Sequence, residues 1–170
     1  MNLNQYLKRR KISKSIDLNI NRKKLWELIT SPGHLNNCHP FCKKNDVICW
    51  EENYHEDMLT YLNGLIYKRV FQNWDLEKGY DLLIGEADGP QSYVIWRIKD
   101  TIENQCRLTI TVYPYLLDKW PRMLSFIPFV IWIKPRLYRY LDSVLYGFDY
   151  FIRNNESVPR NFKGEHPWFS

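Results

Sequence analysis

Apolar and polar residues alternate along much of the first two thirds of the chain, and near Lys134 the step lengthens to three and four. Ile16, Leu18 and Ile20 alternate with Ser15, Asp17, Asn19 and Asn21, the period of a half-buried strand. Leu25, Trp26, Leu28 and Ile29 then share one side of a short helix over 22–30, with Asn21 placed to cap it. Ser31-Pro32-Gly33 breaks that helix, and a second short turn through His34 to Asn37 ends at Pro40. From Asp46 the pattern predicts strands over 47–50, 58–62, 65–74, 80–87 and 92–99. A last strand carries Leu108, Ile110 and Val112 on one face and Thr109, Thr111 and Tyr113 on the other. Asn63-Gly64 predicts a two-residue hairpin, and Glu77-Lys78-Gly79, Asp88-Gly89-Pro90 and Glu103-Asn104-Gln105 predict further turns. Consecutive hairpins make an antiparallel meander with one apolar and one polar face.

The longer step organises the rest. Leu137, Tyr140, Leu141, Val144, Leu145, Phe148, Phe151 and Ile152 fall on one side of a helix over 134–154, with Arg136, Arg139, Asp142, Asp149 and Arg153 mostly elsewhere. Lys134-Pro135 suits its first turn, and Asn154-Asn155 followed by Pro159 marks its end. Its apolar side is crowded with rings and needs a broad, curved, apolar partner, which the meander can supply.

This order (strand, two short helices, antiparallel strands, one long amphipathic helix) resembles the helix-grip fold of the Bet v I-like, START-related (SRPBCC) superfamily over about residues 12–154. The tryptophan-bearing stretch KLWELITSPGHL, the closing helix with Gly147, and the ending His166-Pro167-Trp168-Phe169 are similar to less-characterised polyketide cyclase/dehydrase-like members. The resemblance implies an α+β domain in which a curved antiparallel sheet of about seven strands grips the C-terminal helix. It also implies a cavity between them for an apolar ligand, with no cofactor. One helix does not fill the concavity of a large curved sheet, so side chains or a guest must occupy the remainder. On this expectation the sheet wall is Val94, Trp96, Ile98, Leu108, Ile110 and Val112, extended by Trp50, Tyr61, Tyr67, Arg69 and Phe71. The helix wall is Leu137, Tyr140, Leu141, Val144 and Phe148.

At 170 residues a single domain is expected, with 1–11 loosely held and the tail 155–170 packing back through Trp168 and Phe169. The aromatic share, 16%, suits a wide cavity lining or a large interface better than a compact aliphatic core. The net charge of +5 is dispersed apart from Lys43-Lys44 and the run 8–11 (Lys-Arg-Arg-Lys), so no nucleic-acid interface is expected and the run reads as a solvated face. Met1 to Arg10 carries no apolar run of a secretory signal, so Cys38, Cys42, Cys49 and Cys106 are expected to be reduced and the protein cytoplasmic. Residues 123–133 (MLSFIPFVIWI), flanked by Lys119, Arg122, Lys134 and Arg136, are too short and too broken to span a bilayer. They read as a buried helical connection within 116–134, ahead of the alternative of an exposed lid or a peripheral membrane or dimer contact.

Candidate chemistry is sparse. His34, Cys38, His39 and Cys42 lack the second ligand cluster that a zinc site needs, so no metal is expected. Asp57, Glu86, Asp88, His34, His39 and His55 form no catalytic signature. Arg69, in Tyr67-x-Arg69-x-Phe71, points into the cavity if those rings do; the opposite register puts Ile66, Lys68, Val70, Gln72 and Trp74 inside and Arg69 in water, and is slightly favoured. The expected function is binding or transport of an apolar or amphipathic small molecule such as a lipid, polyketide or isoprenoid. The alternatives are a polyketide cyclase, aromatase or dehydratase using the same cavity, and an interaction protein dimerising through 123–133.

Overall fold

The structure, a computed structural model, describes residues 3–118, 120–121 and 123–170. Seven strands form one curved antiparallel sheet: β1 Ile12–Leu18, β2 Cys42–Glu51, β3 Tyr54–Tyr61, β4 Ile66–Asp75, β5 Gly79–Gly85, β6 Gln91–Asp100 and β7 Cys106–Tyr113. Their order is β1-β7-β6-β5-β4-β3-β2, a six-strand meander with the first strand closing against the last. Between β1 and β2 lie two short helices, α2 Arg22–Thr30 and α3 Leu35–Cys38; a four-residue helix, α1 Asn4–Leu7, precedes the sheet. Asn21 caps α2 as its position predicts, its side chain accepting from the Lys24 N–H at 2.9 Å. The long helix α5, Lys134–Asn154, crosses the concave face and buries Leu137, Leu141, Val144, Leu145 and Phe148.

The fit of α5 depends on one close approach. A Cβ at Gly147 would meet the Cys38 carbonyl oxygen at 2.2 Å, so only glycine lets the helix rest on α3 at this height. The helix also begins earlier than its proline suggests. A short turn, α4 Phe126–Pro128, runs into a π-helical turn over Phe129–Ile133 and on into α5, with the Lys134 N–H bonded back to the Phe129 carbonyl. Pro135 has no N–H to give, and the wider turn ends where that donor would have been needed.

One expectation about this region changes. Residues 123–133 are not a buried connection: Phe129 and Ile133 point inward, but Met123, Leu124, Phe126, Ile127, Ile131 and Trp132 are exposed, Met123 by 90%. The reason is geometric, since the segment lies beyond the sheet, where only its inward line, continuous with Leu137, has anything to pack against. Of its basic flanks, Lys119 and Arg122 lie outside the described residues. Residues 3–11 carry α1, whose Tyr6 is buried against Tyr93 at a ring separation of 5.8 Å. The tail 155–170 runs back across the body. Val158 N–H bonds the Asn37 carbonyl, Asn161 N–H bonds the Pro40 carbonyl, and His166 Nε2 meets the Arg136 carbonyl at 3.0 Å.

The hairpin between β3 and β4 sets which side chains face inward. The chain reverses through three residues, Leu62, Asn63 and Gly64, and not through Asn63-Gly64 alone. Tyr61 N–H bonds the Leu65 carbonyl, and Gly64 takes the left-handed φ of +89° that such a turn needs. Leu59 therefore pairs with Tyr67 and Asp57 with Arg69. Tyr67, Arg69 and Phe71 turn to the concave face, contrary to the expectation that Arg69 faces water. A register shift in the β4–β5 pairing between Phe71 and Asn73 then lets Trp74 join them inside, within 5.5 Å of the Tyr80 ring.

Candidate functional site

The cup under α5 is filled at one end and hollow at the other. At the filled end Trp26, Trp50, His55, Phe71, Trp74, Tyr80, Trp96 and Phe148 pack ring against ring. Neighbouring centroids lie between 4.0 Å (His55 and Trp74) and 6.1 Å (Trp50 and Trp74), with Trp50 and Phe71 at 5.3 Å and Trp96 and Phe148 at 5.5 Å. At the other end a narrow space of about 90 Å³ remains. Its walls are Leu59 and Tyr61 of β3, Tyr67 and Arg69 of β4, Leu82 and Ile84 of β5, and Ser92, Val94 and Trp96 of β6. Ile110 and Val112 of β7, Leu137, Tyr140, Leu141 and Val144 of α5, and Leu35, His39 and Phe169 complete it. A wider space of about 310 Å³ shares Tyr67, Ser92, Val112, Leu137 and Phe169 with the first and opens past Leu65, Pro114, Tyr115, Leu116, Trp132 and Trp168. The two spaces are an inner slot and its mouth.

Of the residues expected to line a cavity, Tyr61, Tyr67, Arg69, Val94, Trp96, Ile110, Val112, Leu137, Tyr140, Leu141 and Val144 meet around the slot. Trp50, Phe71, Ile98, Leu108 and Phe148 do not. The first two and Phe148 belong to the aromatic block, and Ile98 and Leu108, paired across β6 and β7, are buried in the core. Leu35, His39, Leu59, Leu82, Ile84, Ser92 and Phe169 line the slot without having been expected to. Leu59, Leu82 and Ile84 follow the same alternation as their neighbours and were legible in the pattern. His39 and Phe169 reach the slot through a loop and a tail, which periodicity does not describe.

The polar groups of this wall are few and connected. Asp57 and Arg69, opposite each other on β3 and β4, form a two-point ion pair, with Arg69 Nε to Asp57 Oδ1 at 2.6 Å and a second contact from Nη2 to Oδ2. Both are buried, at 0% and 2% exposed. Burial works against the guanidinium charge, but the adjacent carboxylate outweighs it and holds the Arg69 pKa above the ordinary arginine value. Beside this pair runs a chain of three rings. Phe41 N–H donates to His39 Nδ1 at 3.2 Å, so the neutral imidazole carries its proton on Nε2, and that N–H donates to the Tyr140 hydroxyl at 2.9 Å. The Tyr140 and Tyr61 hydroxyls lie 3.1 Å apart and share one hydrogen. Two phenols bring two O–H hydrogens, and only one is used between them. The other has no acceptor among the described residues and sits in the wall of the slot. Tyr67 and Tyr115 make a similar hydroxyl contact, 3.2 Å, at the mouth.

Burial, assisted by the nearby Arg69 charge, lowers the pKa of both His39 and His34 to about 3. Burial raises Tyr61 well above the usual phenol range and Tyr140 to about 12, and pushes the Cys38 and Cys42 thiols up to about 12. The slot therefore presents neutral phenols and a neutral imidazole near neutral pH, and the buried thiols behind it stay protonated. His34 is committed through Nδ1 to the Ser31 carbonyl at 2.9 Å, and its Nε2 is buried with no partner among the described residues. The consequence for stability has a definite sign. An unfolded histidine titrates near 6.5 and these two near 3, so between those values the unfolded chain binds more protons. Stability is then full above pH 6.5 and falls on acidification by about 1.4 kcal/mol per pH unit for each histidine. Urea unfolding across a pH series measures that slope, and replacing His39 by glutamine is expected to make it shallower.

No protein-family model matches the chain, and no curated protein matches it. Solved structures do. A START superfamily protein from Mycobacterium smegmatis superposes with a TM-score of 0.65 at 8% identity, over 85% of this chain and 98% of the other. BexL, a di-domain ARO/CYC from the BE-7585A biosynthetic pathway, gives 0.66 at 9% identity over 85% of this chain and 46% of its own. DynU16, from the dynemicin biosynthetic locus, gives 0.64 at 9% identity over 86% of this chain and 48% of its own. The chain thus spans about half the length of the last two. Together with the sheet and α5, these likenesses establish the helix-grip fold of START-related, Bet v I-like proteins.

Proposed function

We propose that the protein binds a small, largely apolar and uncharged molecule carrying one hydrogen-bond-accepting oxygen, held in the slot beneath α5 and reached through the mouth beside Trp132 and Phe169. The unspent phenolic O–H in the Tyr61–Tyr140–His39 chain carries this reading. A buried donor without an acceptor is unfavourable by about 1–3 kcal/mol, and a guest's carbonyl or ether oxygen relieves it. An anionic guest fits less well, because Asp57 already neutralises Arg69 and a second carboxylate would be buried without a counter-charge. Apolar walls on the remaining sides favour the body of a polyketide, isoprenoid or lipid-like molecule. The four cysteines are all unpaired, which fits a reducing, cytoplasmic setting. No helix among the described residues is long and apolar enough to cross a membrane.

A matched pair of probes tests the reading. 2-Acetylnaphthalene is expected to bind about two- to tenfold more tightly than 2-ethylnaphthalene, the value of one net hydrogen bond. The preference should vanish in Tyr61→Phe/Tyr140→Phe, and equal affinities in the wild type would refute it. The same chain of phenols also favours a second reading, a cyclase- or dehydratase-like enzyme in which the O–H polarises a substrate carbonyl. Loss of one water from a bound poly-β-ketone, faster with wild type than with the double phenylalanine variant, would support it.

A further inference from the structure

Two features of the sequence are left largely outside the cavity: the apolar run 123–133, of which only Trp132 borders the mouth, and the basic run 8–11. The fold brings them together. The Arg10 guanidinium lies over the Phe126 ring at 5.0 Å and the Phe129 ring at 5.8 Å. A surface groove of about 380 Å³ has Lys8, Arg9 and Arg10 on one side and Leu116, Leu117, Trp120 and Phe129 on the other. We propose that these runs form a single surface that seats the protein on an anionic lipid bilayer, with the mouth of the cavity at its edge.

The apolar part is a ridge on a helical segment, not scattered surface hydrophobes. Phe129 and Ile133 anchor α4 and the π-turn inward, so Ile127 and Ile131 project outward, 65% and 71% exposed. Met123 and Leu124 continue the ridge. Cations rim it on both flanks: exposed Lys8 and Lys11 on one side, and on the other Lys134 and Arg136, whose guanidinium lies 5.1 Å from the Trp132 ring. Within the basic run, Arg9 is offset by Asp118 at 2.8 Å. Exposed apolar and aromatic side chains ringed by Lys and Arg match the acyl–headgroup boundary of an anionic membrane. A second copy of the chain would bring the same positive rim against itself. The contact must lie in the membrane plane, since no described helix is long and apolar enough to cross. Continuity supports the same occupant: Leu116 lines both groove and mouth, and Trp132 lines the mouth, so a bound bilayer would adjoin the opening through which an apolar guest passes.

Flotation with vesicles of phosphatidylcholine, with or without phosphatidylserine, tests this surface without any cavity ligand. Wild type is expected to float with the anionic vesicles, less at high salt, and little with the neutral ones. Lys8→Ala and Lys11→Ala should each weaken binding about fivefold, and Ile127→Asp/Ile131→Asp should abolish it. All four positions are exposed, so thermal unfolding and 2-acetylnaphthalene binding should be unchanged, which separates this proposal from the cavity reading. Wild type that ignores anionic vesicles, or aspartate variants that bind them equally, overturns it. A concentration-dependent dimer that the aspartate pair dissolves, with no vesicle binding, assigns the ridge to a second copy and also overturns it.

Discussion

Asp57→Ala is expected to destabilise the protein by about 3–5 kcal/mol, because it leaves the Arg69 guanidinium charged and buried without its counter-ion. Arg69→Ala should have a similar effect through the abandoned carboxylate. Replacing both, as Asp57→Leu/Arg69→Met, should recover most of the loss, since two well-packed apolar side chains escape the desolvation that the pair suffers. Urea unfolding of the wild type and these three variants measures the two losses and the recovery. If the single variants lose less than about 1 kcal/mol, the typical worth of an exposed pair, the pair is not buried as described. The double variant also bears on the ligand: with the ion pair gone, a preference for uncharged guests should remain, because the exclusion of anions comes from the absence of a spare cation.

Val112→Trp is expected to weaken 2-acetylnaphthalene binding by at least about tenfold, roughly 1.4 kcal/mol, while leaving the fold intact. Val112 lines both the slot and the mouth, so an indole there fills the passage between them. A large side chain growing into existing space meets less overpacking than one placed in the aromatic block, and urea unfolding should show little change. Ile98→Trp is the control. Ile98 is buried in the core away from the slot, so its replacement should lower stability and leave the affinity of the folded fraction unchanged.

How far these residues were legible in the sequence turns on particular local rules. The helix over 134–154, its inward line and the cap at Asn21 follow from spacing and side-chain chemistry, and the structure has them. The strands follow from alternation, although β2 and β3 extend further and meet in a tight turn at Glu52-Asn53 that the pattern left open. The orientation of Arg69 did not follow, for a reason that one residue explains. A two-residue turn at Asn63-Gly64 would pair Leu62 with Leu65 and set Arg69 opposite Met58. The three-residue turn sets it opposite Asp57, and a shift of one flips every side chain of one strand relative to the other. Once that register is known, a buried carboxylate facing a buried guanidinium is the only arrangement that satisfies both. The aromatic share pointed to a wide cavity lining or a large interface, yet a block of seven of those rings fills one end of the cup. Composition counts rings without saying at which end they gather. The ridge at 123–133 was misread because its inward line is real but narrow, and the pattern of apolar residues does not reveal that the sheet stops short of it.

Behind each of these results stands one claim, that α5 leaves part of the cup unfilled and that an uncharged guest enters there. Methyl-labelled protein mixed with 2-acetylnaphthalene tests it most directly, through nuclear Overhauser contacts between the guest and side-chain methyls. The account predicts contacts to Val94, Val112, Leu141 and Val144 together, from one bound site. Contacts confined to Ile127 and Ile131 on the outer ridge, or none at all, would contradict it.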